Sequence, residues 1–302
     1  MSQVITNKSR NVKRLPVSPT PDCAADSAFG HPRDYLGNRH VYAALSQRAR
    51  GLSLGINLNP DQHCSFDCIY CEVHRDRPGR AQQLDLKVMA AELEGFLTLV
   101  REKRWREIPM FRRLPGELLE LKEVALSGDG EPTLCPVFSR VVKAVVSIRE
   151  QELHPFKIVL ITNTTGLNNP EVQRGLRQFA AGDQVWVKLD AGTQRYMTKV
   201  NRPTITLKQV LDNILTLART RPVVIQSLFP NDPTLRLTDA EIDQYVQRLR
   251  ELREAGAQIE LVQIYSAHRP AHRPACTHLA LETLCEIAQR VRKVARLRAE
   301  VF

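Results

Sequence analysis

Apolar and polar residues follow two different patterns along the chain. Short apolar runs bounded by turn residues predict buried strands, and segments whose apolar residues recur every three or four positions predict amphipathic helices. Strands are predicted at 52–57, 124–128, 157–162, 184–190, 222–229 and 259–266. Helices are predicted at 84–100, 137–148, 169–180, 206–218, 239–253 and 277–298. Strands thus alternate with helices, which predicts a parallel sheet with helices packed outside it.

Right-handed connections between parallel strands curl such a sheet into an open barrel or a doubly wound sheet. In both architectures, ligands bind where the carboxyl ends of the strands meet. Residues 1–40 differ, because they carry basic and proline residues without a periodic apolar pattern. Such a segment cannot bury enough apolar surface to fold alone. We therefore expect an N-terminal arm over 1–40 and one α/β domain over 41–302.

Composition narrows the class of protein. The chain has 302 residues, of which 43% are hydrophobic and 25% are charged, as in globular proteins. No run approaches the ~20 apolar residues of a membrane-spanning helix. The first residues also lack the apolar core of a secretory signal. We therefore expect a cytoplasmic protein with no membrane partner. The net charge of +10 permits an anionic partner.

Three of the seven cysteines fall within eight residues. Cys64, Cys68 and Cys71 have the spacing C-x3-C-x2-C and follow the first predicted strand. In a reducing compartment such a group indicates metal binding or catalysis rather than disulfides. A zinc site needs a fourth ligand, for which His63 and His74 are candidates. A four-iron cluster on three thiolates leaves one iron open to a ligand, and the spacing alone leaves both alternatives open.

The segment CSFDCIYC (64–71) resembles the signature loop of the radical S-adenosylmethionine superfamily, with Tyr70 as the aromatic residue before the last cysteine. The resemblance implies that Cys64, Cys68 and Cys71 hold a [4Fe–4S] cluster whose open iron chelates S-adenosylmethionine. It implies a partial (β/α)6 barrel of parallel strands with outer helices. It also implies an enzyme that generates a 5′-deoxyadenosyl radical and abstracts hydrogen from a substrate. A reductase or a flavodoxin-type protein is the implied electron donor.

The end of the second predicted strand agrees with a cofactor pocket. The segment SGDGEPTL (127–134) resembles the family's Gly-Gly-Glu-Pro motif in a G-x-G-E-P form. The matching residues are Gly128, Gly130, Glu131 and Pro132, with Asp129 in place of a glycine. The resemblance assigns Glu131 and the backbone around it to the methionine amino group, and the two glycines would let the backbone approach a ligand. The alternative is a turn with an exposed acid.

The third and fourth predicted strands also end in polar residues. Asn163 resembles part of the family's Thr-Asn-Gly segment, and its alternative is an ordinary turn residue. Lys188 and Asp190 share one face of the fourth strand. We expect one of them to touch the ribose or carboxylate of S-adenosylmethionine, and a buried ion pair between them is the structural alternative. The segment NRP (201–203) is interpreted as a positioning loop for this strand end.

The resemblance extends to a subgroup related to the wybutosine tRNA-base synthases. It rests on LGINLNPDQHCSFDCIYCEV, SGDGEPTL, VKLDAG with NRP, and VQIYSAHRPA. Those synthases carry further cysteines upstream of the signature and a lysine that captures pyruvate. This chain has Cys23 upstream and no obvious matching lysine, so that reaction is not carried over. Candidates for an auxiliary cluster are Cys23, Cys135, Cys276 and Cys285, and ordinary buried thiols are the alternative.

Basic segments suggest the class of partner. Segment 101–113 interleaves basic residues with Trp105 and Phe111, and segment 290–298 is also basic. Such patterns indicate contact with phosphates and bases or solvated helix faces. Loop 266–278 is predicted to face an anionic substrate group or to be a simple connector. We take tRNA or another anionic substrate as a candidate partner. A non-catalytic zinc or iron–sulfur module and an RNA-binding protein are the alternative functions.

Overall fold

The structure is a computed structural model that describes residues 33–153, 156–267, 271 and 275–302. Most of the predicted N-terminal arm, including Cys23, and six residues of loop 266–278 lie outside the described residues. The strands are β1 Val41–Ser46, β2 Gly51–Asn57, β3 Leu121–Ser127, β4 Lys157–Thr162, β5 Gln184–Lys188, β6 Val223–Leu228, β7 Pro230–Asn231, β8 Ile259–Tyr265, β9 Thr277–His278 and β10 Ala299–Val301. The α-helices are α1 Leu86–Arg101, α2 Phe138–Arg149, α3 Pro170–Leu176, α4 Gln194–Val200, α5 Leu207–Ala218, α6 Asp239–Glu254 and α7 Leu281–Arg290.

Eight strands form one sheet in the order β1-β2-β3-β4-β5-β6-β8-β10. β1 pairs with β2 in an antiparallel manner, and every later neighbour in this sheet is parallel. The sheet is a curled half-barrel flanked by helices, so the predicted α/β partial barrel is confirmed. β7 and β9 form a separate two-stranded sheet among the described residues.

The helices cover the outer face of the sheet because their apolar stripes match the buried strands. α1, α2 and α5 bury Leu93, Val141 and Ile214 completely. α5 begins with a capping box in which Thr206 and Gln209 satisfy each other's backbone N–H groups. The helices leave the inner face of the sheet free. The carboxyl ends of the parallel strands meet at one rim of this face.

Several parts of the fold differ from the prediction. β1 was missed because its tight antiparallel turn to β2 breaks the alternation of strands and helices on which the prediction depended. The short elements α4, β7 and β9 were also missed. The predicted helix 277–298 is wrong at both ends: residues 277–278 form β9, α7 spans Leu281–Arg290, and a wider turn over 291–295 leads to Arg296, whose φ is 52°. That left-handed conformation ends the helical backbone, and β10 then pairs with β8.

The interleaved aromatics of segment 101–113 are core residues. Trp105 is 3% exposed and Phe111 is fully buried. The Trp105 ring lies 5.9 Å from Phe96 and 5.5 Å from Phe111, centroid to centroid. The hypothesis that these two rings stack on bases is therefore wrong. Among the described helices, none is long and apolar enough to span a membrane.

Candidate active site

The three clustered cysteines lie on the loop that leaves the carboxyl end of β2. Cys64, Cys68 and Cys71 are half-buried free thiols. The loop is tied to the end of α4, because the backbone N–H groups of Asp67 and Ile69 donate to the carbonyls of Asn201 and Val200. The thiols are therefore held at the rim where strand ends meet.

Nitrogen donors surround two of the sulfurs. Cys64 Sγ accepts from the backbone N–H of Phe66 at 3.5 Å and from Asn163 Nδ2 at 3.7 Å. Cys68 Sγ accepts from Asn201 Nδ2 at 3.5 Å. Such donors stabilise a thiolate and orient it toward a metal. Asn163, which the sequence analysis selected, thus contacts the cysteine loop, and Asn201 lies in the segment interpreted as a positioning loop.

Burial favours the protonated form of the Cys64 and Cys68 thiols. Burial raises the pKa of Cys68 to about 12, although the nearby Lys188 ammonium acts in the opposite direction. Burial also raises the pKa of Cys64, and the Glu131 carboxylate adds to that effect. Since thiolates are the form that binds metal, the positive charge of a metal centre is what would deprotonate these groups.

The donor set fits an iron–sulfur cluster better than a single ion. Across the described ranges, no three Cys, His, Asp or Glu side chains lie close enough to share one metal ion. A zinc ion needs four ligands converging on one point. A cubane binds each thiolate through a different iron, so its ligands are spread more widely. Cys64, Cys68 and Cys71 are the residues that would hold it.

The loop after β3 packs tightly on the loop after β2. A Cβ on Gly128 would lie 2.2 Å from Asn57 Oδ1, and Gly128 has a φ of +133°. A Cβ on Gly130 would lie 2.0 Å from the His63 carbonyl oxygen. Both glycines are therefore required by the approach of these two loops. Their predicted contact with a ligand stays a prediction.

Both oxygens of the Glu131 carboxylate accept hydrogen bonds. It is 2% exposed. Its Oε1 accepts from Thr133 N at 3.1 Å, Thr133 Oγ1 at 2.6 Å and Thr162 Oγ1 at 2.5 Å, and its Oε2 accepts from Asn163 N at 2.7 Å. A carboxylate has about four acceptor positions. Glu131 therefore joins the loops after β3 and β4, and Pro132 begins the short turn beside it. Its predicted contact with a methionine amino group remains untested.

Asp129 anchors the segment before β1. Its carboxylate accepts from Arg33 Nη1 at 3.0 Å, Asn57 Nδ2 at 2.7 Å and Tyr35 Oη at 3.5 Å. Arg33 and Tyr35 therefore lie against the loop that the sequence analysis selected. Nothing in their local sequence signalled this contact, because it joins residues 96 positions apart.

Lys188 and Asp190 do form an ion pair, at 3.6 Å. The buried Asp190 carboxylate also accepts from Tyr70 Oη, from Asn201 Nδ2 at 2.6 Å and from Leu228 N at 2.9 Å. The Lys188 ammonium lies 4.8 Å from the centroid of the Tyr70 ring. The structure therefore brings these predicted residues together, and Asp190 links the cysteine loop to β5 and β6.

A cavity of about 310 Å³ opens beside the cysteine loop on the inner face of the sheet. Tyr70, Cys71 and Lys188 line it together with Gly128 and Arg33. A ligand bound there would touch the last cysteine and a cation at once. The cavity is thus the space available to a cofactor next to the cluster ligands.

The remaining cysteines behave as separate thiols. Cys135 and Cys276 are buried and Cys285 is exposed, and all three are free. Burial raises the pKa of Cys135 and of Cys276 to about 11. Within the part of the chain that the structure describes, these cysteines enter no metal-binding group. An auxiliary cluster that uses Cys23 stays a prediction, because Cys23 lies outside the described residues.

Sequence comparison gives relatives that include UPF0026 proteins and tRNA 4-demethylwyosine synthases. The UPF0026 protein of Helicobacter pylori strain J99 is 23% identical over 181 residues, which is 59% of this chain and 52% of that protein. The human S-adenosyl-L-methionine-dependent tRNA 4-demethylwyosine synthase TYW1B is 28% identical over 232 residues, 72% of this chain and 31% of that protein. The chain spans about half the length of the UPF0026 relatives it matches.

Solved structures share the fold. A radical SAM methyltransferase from Sphaerobacter thermophilus superposes with a TM-score of 0.56 at 13% identity, over 87% of this chain and 68% of that one. TYW1 with a lysine-pyruvate adduct bound superposes with a TM-score of 0.51 at 15% identity, over 84% of each chain. At these identities the likeness concerns the fold alone. A model described as the radical SAM superfamily matches residues 58–233, more than half of the sequence, and the chain therefore belongs to the radical S-adenosylmethionine superfamily.

Proposed function

We propose that this protein is a radical S-adenosylmethionine enzyme with a [4Fe–4S] cluster on Cys64, Cys68 and Cys71. When bound, the cluster and S-adenosylmethionine supply a 5′-deoxyadenosyl radical that removes a hydrogen atom from a substrate. One observation carries the proposal: three free thiols lie on one strand-end loop, and the last of them, Cys71, lines a cavity that Lys188 also lines.

The protein's own residues would bind and orient these groups. Asn163 and Asn201 donate to cluster-ligand sulfurs. Lys188 is the cation best placed to meet a carboxylate, because it lines the cavity and its partner Asp190 is held by three further donors. The predicted set of cofactor contacts stays Tyr70, Gly128, Asp129, Gly130, Glu131, Pro132, Asn163, Lys188 and Asp190. Within it, Glu131 and Asp190 act mainly by positioning their loops.

The partners follow from charge and from the relatives. We propose tRNA or another anionic molecule as substrate, supported by the net charge of +10 and by the tRNA-acting relative. A reductase or a flavodoxin-type protein would donate the electron. We propose a cytoplasmic location because six described cysteines are free, whereas oxidising compartments favour disulfides.

Anaerobic reconstitution tests the proposal. The protein is loaded with iron and sulfide, reduced, and mixed with S-adenosylmethionine, and 5′-deoxyadenosine is measured by mass spectrometry. We expect about four irons per chain and formation of 5′-deoxyadenosine. Cys71→Ala should abolish both cluster electron paramagnetic resonance and product. Cys285→Ala, at an exposed cysteine, is the matched control and should retain both.

Two outcomes would contradict the proposal that this protein is a radical S-adenosylmethionine enzyme. One is stoichiometric zinc without iron in protein purified anaerobically from iron-supplied cells. The other is 5′-deoxyadenosine formation that is unchanged in Cys71→Ala. The first outcome would favour the alternative of a non-catalytic zinc module.

A further inference from the structure

Two buried polar atoms without a hydrogen-bond partner line the same cavity. They are Glu123 Oε2 and Arg48 Nε, and both residues line the cavity that borders Cys71. Glu123 is 1% exposed. Leaving a buried polar group unpaired is costly, and native structures retain few such groups. A ligand that pairs with both atoms would explain why they are retained.

The Glu123 side chain is held with one oxygen free. Ser53 Oγ on β2 donates to Glu123 Oε1 at 3.1 Å. Lys157 Nζ lies 3.9 Å from Oε2, which is beyond hydrogen-bond distance but close enough to favour a negative charge. Oε2 therefore keeps its acceptor capacity for a group that enters the cavity.

Arg48 stacks on two aromatic rings. Its guanidinium carbon lies 4.3 Å from the centroid of the Tyr265 ring and 5.9 Å from that of Trp186. Such stacking fixes a guanidinium while leaving its N–H groups available. Among the described residues, Arg48 Nε has no hydrogen-bond partner, and the Arg48 guanidinium interacts electrostatically with the Glu123 carboxylate.

These two groups lie deep in the cavity relative to the cysteine loop. Glu123 lies four residues before the end of β3, which places it about 13 Å below the rim. Cys71 and Tyr70 line the same cavity near the rim. A molecule that reaches the floor would therefore extend up toward the proposed cofactor.

We propose that Glu123 and Arg48 bind the amide edge of a nucleobase, the ring N–H beside a carbonyl that guanine and uracil present. This inference rests on the proposed function and names its substrate class. Glu123 Oε2 would accept from the ring N–H, and an Arg48 N–H would donate to the neighbouring carbonyl. Arginine and carboxylate side chains make these contacts with base edges, and enzymes that modify bases read the extruded base in this way.

A nucleobase is favoured over a peptide amide by charge. Three cations, Arg33, Arg48 and Lys188, line the cavity with two acids, Glu72 and Glu123, and the whole chain carries a net charge of +10. Phosphates attached to a base would be attracted to such surroundings, whereas a neutral peptide would gain nothing from them. The tRNA-acting relative points to the same class.

Binding is measured anaerobically by calorimetry on the reconstituted protein with S-adenosylmethionine present. The probes are guanosine and uridine 5′-monophosphates and their N1-methyl and N3-methyl forms, which lack the ring N–H. We expect at least one unmethylated nucleotide to bind and its methylated form to bind at least about tenfold more weakly. Glu123→Gln and Arg48→Gln should each weaken binding of the unmethylated nucleotide by a similar factor.

Matched controls lie a few residues from each variant but outside the cavity. Glu120→Gln and Arg50→Gln alter exposed residues whose partners are Lys122 and Glu300, and they should leave binding unchanged. A second readout excludes misfolding: Glu123→Gln should lower the melting temperature only slightly, since Oε2 accepts no hydrogen bond and its ion pair with Lys157 is long, at 3.9 Å. A structural Glu123 would give a clear decrease instead.

Several results would overturn the inference. They are no binding of either nucleotide, equal binding of methylated and unmethylated forms, or binding insensitive to both cavity variants. If N-acetylglycinamide binds in preference to the nucleotides, the deep end of the cavity recognises a peptide amide and not a nucleobase. Formation of 5′-deoxyadenosine is measured in parallel, so loss of the proposed enzyme activity and loss of base binding are scored separately.

Discussion

At the scale of single residues, two buried glutamates of the inner sheet face have opposite hydrogen-bond environments. Glu131 accepts four hydrogen bonds, whereas Glu123 accepts one, from Ser53. Burial raises the pKa of both carboxyl groups. Because only Glu131 joins separate loops, the same substitution should affect the two positions differently.

Glu131→Gln is expected to destabilise the fold. An amide group in place of one carboxylate oxygen would face donors and leave at least one of them unpaired. We expect the free energy of unfolding to fall by about 1–3 kcal/mol, measured by urea denaturation of the cluster-free protein. Glu123→Gln is the matched control and should cause a smaller loss, because Glu123 accepts one hydrogen bond and its ion pair with Lys157 is long, at 3.9 Å. Equal destabilisation by both variants would contradict this account of Glu131.

Arg75 is expected to tune the proposed cluster. Its guanidinium interacts electrostatically with the Cys64 and Cys71 thiols, and its Nη1 donates to the Gln62 carbonyl at 3.0 Å. A cation beside ligand thiolates favours the reduced cluster. Arg75→Met should therefore shift the reduction potential to a more negative value, as measured by a redox titration followed by electron paramagnetic resonance.

Arg77→Met is the matched control for Arg75, because Arg77 is an exposed arginine two residues further along the loop. Its reduction potential should equal that of the unmodified protein. An unchanged potential in Arg75→Met would show that the arginine has no electrostatic effect on the cluster.

The sequence pattern selected residues that the structure brings together, but it did not select their partners. Cys64, Cys68 and Cys71 are recognisable from spacing, and Lys188 and Asp190 from strand periodicity. Asn201 was included only in a loop, and Arg33, Arg48 and Glu123 were not selected. Their contacts join distant segments, so no local pattern could indicate them.

At the scale of elements, the central strands and helices were predictable because each has a strong period of its own. β4 and α5 match the predicted bounds closely. The errors lie at the edges of the sheet, where pairing with a neighbour decides the structure. β10 is three residues long and is defined by its register with β8, which no sequence period reveals.

The end of the last helix can be tested by one substitution. Arg296 has a φ of 52°, a conformation that glycine adopts without steric cost. Arg296→Gly should therefore keep or raise the free energy of unfolding, by up to about 1 kcal/mol. If the helix continued through residue 298, as the sequence pattern predicted, the same change would lower it by about 1 kcal/mol. Thermal or urea denaturation separates the two signs.

Arg292→Gly provides the comparison for that test. Arg292 lies in the wider turn before Arg296, and its Nε donates to the Ala288 carbonyl at 3.2 Å. Glycine there removes this bond and adds backbone freedom, so it should be destabilising. A loss of stability in both variants would favour a continuous helix.

At the scale of the whole molecule, the basic charge is divided between the outer surface and the cavity. Surface arginines such as Arg104, Arg250 and Arg290 pair with neighbouring acids. Arg33, Arg48 and Lys188 line the inner cavity, where Arg33 and Lys188 are also paired with Asp129 and Asp190. Composition could indicate an anionic partner, but only the fold assigns part of that charge to a concave surface.

The cysteine loop is joined to its surroundings through its sulfurs as well as through its backbone. Asn163, after β4, and Asn201, after α4, each reach a sulfur from a different segment of the chain. Loss of the proposed cluster would therefore weaken contacts among three segments. A shortage of iron during biosynthesis is then expected to lower the yield of folded protein.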